Sequence, residues 1–427
     1  MVKRERKLGR GVAVVGVGMS KFGVLPGWGC REMYVEALKD LQKSVDKGFD
    51  LKDIEANYVG CCGAWNWETQ AGIGKWCTDW AGLNPIPSTT VDNACASASV
   101  AVRNGILAIA SGLYDVVLTG GVEKMTTLPT EGTTLVLATG ADATWECYAG
   151  YTFPGLYATM ATAHMNQYGT TPEDLMAVGI KNHHNGALNP RAQMPNTIKQ
   201  IMEQRMARAK EKGQKVPQWV TEMDFMHDDQ YNPMVAWPLR LFDCCPITDG
   251  ASVVLLVAED IARNFTDKPL YIIGTGQASG PALHTRDTLT SIPASQIAAK
   301  QAYDMAHVTP KDIKIAEVHD CFTIAEIIAI SDLGFFKPGK EAAKAAAEGK
   351  TALNGVKPIN TSGGLKCKGH PVGASGAAMV GEVFHQMRGD AGPRQVKIEN
   401  GLGLAHTYGG TPIEGGTGAF TIYGTRD

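Results

Sequence analysis

Hydrophobic and polar positions fall into a repeating strand–turn–helix pattern. Its most informative unit runs from Pro87 to Lys124. Ser88 to Val91 reads as extended, Asp92–Asn93–Ala94 as a tight turn, and Cys95 precedes a helix. That helix carries only Arg103 and Asn104 as strongly polar residues, with Val102, Ile106 and Ile109 on one stripe. A helix apolar almost all round is a buried one, and Asp115 to Thr119 (DVVLT) reads as a buried parallel strand. Earlier in the chain the pattern predicts a strand over Gly11 to Val17 and a helix over Arg31 to Val45, with Met33, Ala37, Leu38 and Leu41 on one face. A short strand follows over Tyr58 to Cys61, and then the Trp-rich piece Trp65 to Trp80.

From Met125 to Leu239 the alternation fails, although Pro172 to Ile180 still reads as helix. Lys199 to Lys215 (KQIMEQRMARAKEKGQK) reads as a solvated charged helix. Ala251 to Val257 restores a buried strand, and the pattern restarts. Leu270 to Gly276 (LYIIGTG) echoes Val12 to Gly18 (VAVVGVG). Helices are then expected over Ser291 to His307 and Thr323 to Leu333, with a strand over Ile313 to Val318. Gly369 to Met387 reads as a turn followed by a small-residue helix, and Val396 to Glu399 and Ala419 to Tyr423 as strands. Two all-round apolar helices, one per half, imply sheets on both sides of a central helical layer. The expected α/β fold is a layered α-β-α-β-α body of two similar β/α halves with an insertion. The divisions are 1–124 with 244–262 for the first half, 125–243 for the inserted domain and 263–427 for the second half.

The chain has 427 residues, 44% of them hydrophobic, which is ample for a core of this size. A net charge of −3 argues against nucleic acid or an anionic membrane surface as partner. Apolar runs stay well short of the roughly 20 residues a membrane span needs. The basic start, MVKRERKLGR, lacks the apolar region of a signal peptide, so a cytoplasmic protein is expected. Ten cysteines without a C-x-x-C pair, two pairs of them vicinal, suit free thiols better than zinc or disulfides. No metal constellation and no Walker loop is present.

Four of the polar positions carry chemistry. Cys95 at a helix start would lie over free N–H groups and the positive dipole end, which predicts a lowered thiol pKa. Its own N–H could help bind a carbonyl oxygen. Glu317 to Phe322 (EVHDCF) puts His319 and Cys321 at the carboxyl edge of a strand, two residues apart and pointing the same way. His370 sits in a glycine-rich turn just before the second small-residue helix, and Gly401 to Gly418 reads as a glycine-dense loop leading into the last strand. A cysteine nucleophile needs a base beside it, which His370 could be. A second thiol, Cys321, could move a proton at a carbon α to a thioester, while His319 and glycine N–H groups hold the oxygen. Taken singly, a buried core thiol, a core histidine and a plain turn explain each residue as well. Four together at strand ends and helix starts point to one site.

These motifs resemble the thiolase superfamily, in particular the sterol-carrier-protein-2-type thiolases and their bacterial and archaeal relatives. The matching stretches are Asn93-Ala94-Cys95-Ala96-Ser97, His319-Asp320-Cys321-Phe322 and Gly369-His370-Pro371-Val372-Gly373. Lys181-Asn182-His183, Asn189 to Gln193 (NPRAQ) and Pro238 to Gly250 (PLRLFDCCPITDG) support them. The resemblance implies a thiolase-like five-layered fold whose loop domain contributes to coenzyme A binding and to dimer or tetramer assembly. It implies Cys95 as acylated nucleophile, His370 as its activator and a holder of the thioester oxygen, Cys321 as α-carbon acid/base and His319 on the enolate oxygen. Many thiolases take the acid/base cysteine from a C-terminal C-x-G motif. Here Leu404 to Gly410 has none, so the role falls to Cys321. The loop also carries the additional residues Thr411 to Gly416, and Gly410 is the expected second oxyanion N–H.

The implied activity is coenzyme A-dependent cleavage of a 3-oxoacyl-CoA, or the reverse Claisen condensation. Coenzyme A is a co-substrate, and no cofactor is held permanently. Acetoacetyl-CoA is one candidate substrate. Trp65, Trp67, Trp76 and Trp80 before the nucleophile suggest a wide pocket for an aromatic one of the benzoylsuccinyl-CoA kind. A longer Lys199 to Asn232 segment suggests docking of a small partner with a zinc ribbon and an OB-like domain. The competing readings are a decarboxylating ketoacyl synthase using Cys95, His319 and His370, and a non-catalytic acyl-CoA- or lipid-binding scaffold.

Overall fold

The computed structural model describes residues 6–280, 287–398, 401–410 and 417–425. Its strands are β1 (Val12–Met19), β2 (Ala56–Gly60), β3 (Ser88–Val91), β4 (Val116–Glu123), β5 (Met234–Ala236), β6 (Leu239–Arg240), β7 (Gly250–Ala258), β8 (Leu270–Ser279), β9 (Ile315–Glu317), β10 (Leu402–Gly409) and β11 (Thr417–Gly424). Among the described residues nine of them form one sheet in the order β3-β2-β4-β7-β1-β8-β11-β10-β9, and β5 and β6 form a separate hairpin.

The restart seen in the apolar pattern has a structural counterpart. Outward from the centre, β1–β7 and β7–β4 are antiparallel and β4–β2 is parallel. On the other side β8–β11 and β11–β10 are antiparallel and β10–β9 is parallel. Even the parallel neighbour β3 of β2 has an echo, a single parallel bridge from Ala316 to Ile359. The two echoing segments meet at the centre, where β1 and β8 pair antiparallel through Val12↔Ile272, Ala13↔Tyr271 and Val14↔Leu270. Hydrogen bonding thus joins the two expected sheets into one, through a seam three residue pairs long.

The layers follow from burial on both faces. β4 and β7 are buried along their whole length, so helices must cover them on either side. Helix Cys30–Ser44 packs on β1 and β7, and helix Pro293–Ala306 on β8 and β11. Helices Ser97–Ala110 and Ser375–Arg388 pack against each other and against β2, β4 and β10 between the two halves. This gives the α-β-α-β-α order. Between β4 and β7 the chain contributes helices Thr130–Ala138, Phe153–Tyr168, Pro172–Gly186, Ile198–Glu211 and Glu222–Met226, together with the β5–β6 hairpin. In the charged helix Ile198–Glu211, Ile198, Met202 and Ala209 are buried and the charges face outward.

Two expectations fail near the C-terminus. Residues 402–409, expected as loop, form β10, because their alternation of small residues (Gly403, Ala405, Thr407, Gly409) with Leu404, His406 and Tyr408 fits a strand buried between β9 and β11. Residues 396–398, expected as strand, have no regular structure. Val396 N–H instead donates to Gln386 Oε1 at 2.9 Å. Thr411 to Gly416 lie outside the described residues.

Candidate active site

Cys95 follows β3 in a short 3₁₀ turn, Ala94–Ala96, and the helix proper begins only at Ser97. Ala94 has φ +47°, a left-handed conformation that costs a non-glycine residue about 1–3 kcal/mol. The turn is held by Ala94 N–H to Asp92 Oδ1 (3.0 Å), Asn93 N–H to Ser97 Oγ (2.9 Å) and Ser97 Oγ–H to Ala94 O (2.6 Å). The end of β10 closes over it. A Cβ on Gly409 would sit 1.9 Å from Asn93 O, so the C-terminal half can reach the nucleophile turn only with a glycine there.

His370 comes from the turn before helix Ser375–Arg388. Gly369, at φ +116°, lets the chain pass beside Thr248, and His370 N–H donates to Thr248 Oγ1 at 2.9 Å. Thr248 Oγ1–H in turn donates to Gln193 Oε1 at 2.6 Å. The Ser375 hydroxyl favours one tautomer of the ring. Ser375 Oγ–H donates to Pro371 O at 2.8 Å, which leaves the hydroxyl only lone pairs toward His370 Nδ1, 2.7 Å away. Nδ1 therefore carries the proton, and Nε2, buried with no partner among the described residues, presents a free lone pair.

His319 and Cys321 lie just beyond the end of β9, not on it, but they do project to one side. Asp320 between them points the other way, into a buried network. It accepts from Leu365 N–H (2.7 Å) and Asn182 Nδ2 (2.8 Å). Asn182 also donates to Glu326 Oε2 (2.9 Å), and Lys181 Nζ donates to Glu326 Oε1 (2.6 Å) and Ile359 O (3.0 Å). On the other side Cys245 N–H donates to Cys321 O at 2.9 Å. The Lys181-Asn182-His183 match thus clamps the loop that carries His319 and Cys321.

All five residues picked from the sequence, Cys95, His319, Cys321, His370 and Gly410, line one cavity of about 430 Å³. The donor atoms of Cys95, His319 and His370 fall within 4.8 Å of one another. The two imidazoles cross edge to face, centroids 5.4 Å apart and planes at 78°. Residues missed by the sequence reading complete the lining. Tyr157 stacks on Phe322 at 4.6 Å and faces the Cys321 sulfur, and Cys245 stands beside both thiols. Cys245 belonged to a motif already matched. Tyr157 lies in a helix with no local signal.

The electrostatics overturn one expectation. Burial, with the nearby Glu123 carboxylate second, pushes the Cys95 thiol up to about 12, against a smaller lowering by its own backbone N–H. The start of a 3₁₀ turn in a dry cavity does not offset desolvation. Burial, then Cys245 and Cys95, raises Cys321 well above the usual thiol range, although the Tyr157 hydroxyl favours its thiolate. Burial, then Lys368, lowers His370 to about 3. Burial, then His370 and His406, holds His319 far below its ordinary value. The resting site is therefore two thiols and two neutral imidazoles. Glu123, buried and accepting from Cys62 N–H (2.8 Å), Gly63 N–H (3.0 Å) and Cys61 Sγ (3.2 Å), is raised to about 7 by burial.

The tryptophans are elsewhere. None of Trp65, Trp67, Trp76 and Trp80 lines the cavity. Trp67 is buried behind it, Trp65 is exposed, and Trp76 and Trp80 stack with Arg31. The aromatic walls come from Phe153, Tyr157 and Phe322. Among the described residues no helix is long and apolar enough to cross a membrane, and all ten cysteines are free.

Residues 12–260 match the family model described as "Thiolase, N-terminal domain", and residues 276–421 match "Thiolase C-terminal domain-like". The acetyl-CoA acetyltransferase of Methanothermobacter thermautotrophicus is 45% identical over 417 residues, covering 97% of this chain and 99% of that one. That of Methanocaldococcus jannaschii is 40% identical over 418 residues, 96% and 97% of the two chains. Benzoylsuccinyl-CoA thiolase subunit BbsB of Thauera aromatica is 29% identical over 414 residues, 95% and 96%. Among solved structures an Ltp2-ChsH2(DUF35) aldolase superposes with a TM-score of 0.72 at 21% identity, over 98% of this chain and 99% of that one, a likeness of fold. With family models matching both halves and relatives matched almost end to end at up to 45% identity, the chain belongs to the thiolase family.

Proposed function

We propose that this thiolase transfers acetyl groups between acetyl-CoA molecules, cleaving acetoacetyl-CoA with coenzyme A or running the reverse condensation. The observation that carries this reading is the meeting of two thiols and two imidazoles in one apolar cavity. Full-length relatives named acetyl-CoA acetyltransferase support the substrate.

In cleavage, Cys95 Sγ attacks the 3-oxo carbon and its proton passes to His370 Nε2. Because burial disfavours both charged forms, proton transfer accompanies C–S bond formation instead of preceding it. The oxygen of that carbonyl becomes an oxyanion held by N–H donors, with Gly410 and the backbone of Cys95 as candidates. The α–β carbon bond then breaks, its electron pair going to the α-carbon of the leaving thioester. His319 and His370 stabilise that enolate oxygen, and Cys321 Sγ–H protonates the carbon. Coenzyme A then displaces the acetyl group from Cys95, its thiol proton passing to the Cys321 thiolate, while the His370 imidazolium returns its proton to the departing Cys95 sulfur. Condensation is the reverse, with Cys321 removing the α-proton. A decarboxylating synthase has no use for that second acid/base thiol, which favours the thiolase.

Coenzyme A acts as co-substrate in this scheme, with no permanently held cofactor. The exposed outer edge of β3 at Thr89 and Thr90 supports a homodimer or larger assembly. The charged outer face of Ile198–Glu211 supports docking of a small partner with a zinc ribbon and an OB-like domain. Ten free thiols support residence in the reducing cytoplasm.

The test is intact-mass analysis after incubation with acetyl-CoA. One acetyl group mapped to Cys95, and absent in Cys95→Ser, is expected. A protein acetylated elsewhere, or unmodified by both acetyl-CoA and acetoacetyl-CoA, overturns the assignment.

A further inference from the structure

Resting on the thiolase reading and deepening it, we propose that Met125, backed by Trp67, is the end wall of the acyl compartment and restricts this enzyme to short linear 3-oxoacyl-CoA substrates. The cavity has two unlike ends. Its lining is exposed at Val235 and Leu241, which are 46% and 50% exposed, and at Thr130, and a pantetheine thioester would enter from the Val235–Leu241 side. Its inner end is an apolar cluster in which the buried Met125 and Val372 pack with the partly buried Cys95, Leu137 and Ile247. An acyl group on Cys95 that turns its oxygen to the imidazoles and N–H donors has this cluster for its carbon tail.

Methionine ordinarily yields to a bulkier neighbour because its side chain is unbranched and flexible. Here it cannot retreat. Met125 N–H donates to Asp249 Oδ1 at 2.8 Å, and Met125 O accepts from Thr133 Oγ1 at 2.9 Å. Asp249 is itself fixed by Lys124 Nζ (2.5 Å), Thr126 N–H (3.0 Å) and Thr126 Oγ1–H (2.6 Å). Behind the side chain lies Trp67, only 4% exposed, and its carbonyl accepts from Thr127 Oγ1 at 2.7 Å. Beside it Val372 is equally buried and belongs to the turn that carries His370, so it cannot shift without moving the base. A longer tail would have to overpack this wall.

A methylene in an unyielding apolar pocket changes kcat/KM by roughly 10- to 200-fold. The experiment compares kcat/KM for acetoacetyl-CoA and 3-oxooctanoyl-CoA in the full-length protein, Met125→Ala and Met125→Leu. The wild type is expected to prefer acetoacetyl-CoA by about 100-fold or more. Met125→Ala should shrink that ratio by about tenfold, through a lower KM for the longer substrate, and Met125→Leu should keep it. If Met125→Ala does not fold, Trp67→Phe serves. Among the described residues its indole Nε1 has no partner to lose, and relaxing the backing should shrink the ratio by roughly threefold. Equal use of both substrates by the wild type, or an active opened variant with the ratio unchanged, overturns the wall alone. Absence of turnover with either substrate in the wild type overturns the thiolase reading and the wall with it.

Discussion

Ser375 does not face the cavity, yet the tautomer of His370 depends on it. In Ser375→Ala the Nδ1–H loses the one acceptor it has among the described residues, in a fully buried setting, at a cost of about 1–3 kcal/mol. The ring escapes that cost by moving its proton to Nε2, where the lone pair that deprotonates Cys95 should be. The population of the competent tautomer, and with it the rate of Cys95 acetylation, should fall by roughly 5- to 150-fold. Two readouts separate positioning from general damage. Single-turnover acetylation of Cys95 by acetyl-CoA reports the rate. Nitrogen chemical shifts of His370 report which ring nitrogen is protonated. Ser375→Thr keeps the hydroxyl and should restore both to within a few-fold. An unchanged acetylation rate in Ser375→Ala, or a Ser375→Thr variant as impaired as the alanine, would refute the tautomer argument.

Three further outcomes are expected. Burial holds His164 at about 4, His183, His370 and His406 at about 3, and His319 well below its ordinary value, so the fold keeps all five neutral while the unfolded chain protonates them near pH 6.5. Stability from these groups is complete above pH 6.5 and drains away as pH falls toward 3, by about 2 kcal/mol each at pH 5. Glu123, Asp320, Glu317 and Asp243, all raised by burial, return part of this on acidification, and the five histidines are expected to outweigh them; a Tm at pH 5 equal to or above that at pH 7 would contradict it. Cys321→Ala should still acetylate Cys95 from acetyl-CoA but lose cleavage and condensation by roughly 10²- to 10⁴-fold, checked by steady-state assay in both directions. Gly369→Ala must force φ +116° on a residue with a Cβ 2.8 Å from Thr248 Cγ2, so kcat should fall by at least about tenfold as His370 shifts, and equal kcat would show that the turn adapts.

The layered body was legible because its signal is periodic: two all-round apolar helices and two strands ending in Gly-x-Gly announce a duplicated unit, and burial on both faces does the rest. The four polar site residues were legible because each stands where an element begins or ends. What stayed hidden is energetic or distant in sequence. The raised Cys95 thiol depends first on burial by elements distant in sequence and then on Glu123, 28 residues on; a helix-start rule sees neither. The tryptophans looked like pocket residues because they precede the nucleophile in the chain, but Arg31 draws Trp76 and Trp80 to the outer face. Strand β10 was read as loop because its glycines mimic a turn, though Gly409 serves its passage beside the Cys95 turn and Gly403 its packing on Val383 and Met387.

The origin of the site's parts has a consequence for biosynthesis. Cys95 belongs to the half made first, whereas His319, Cys321 and His370 all follow residue 315 and reach the cysteine only when β10 has closed over its turn. On the proposed roles, a nascent chain that has folded only its first half holds Cys95 without its base, its acid or its cavity. Activity therefore arrives late, in one step, with completion of the last strands. The same division makes the enzyme a natural candidate for splitting: separately expressed halves would each be catalytically silent, and activity would report their reunion.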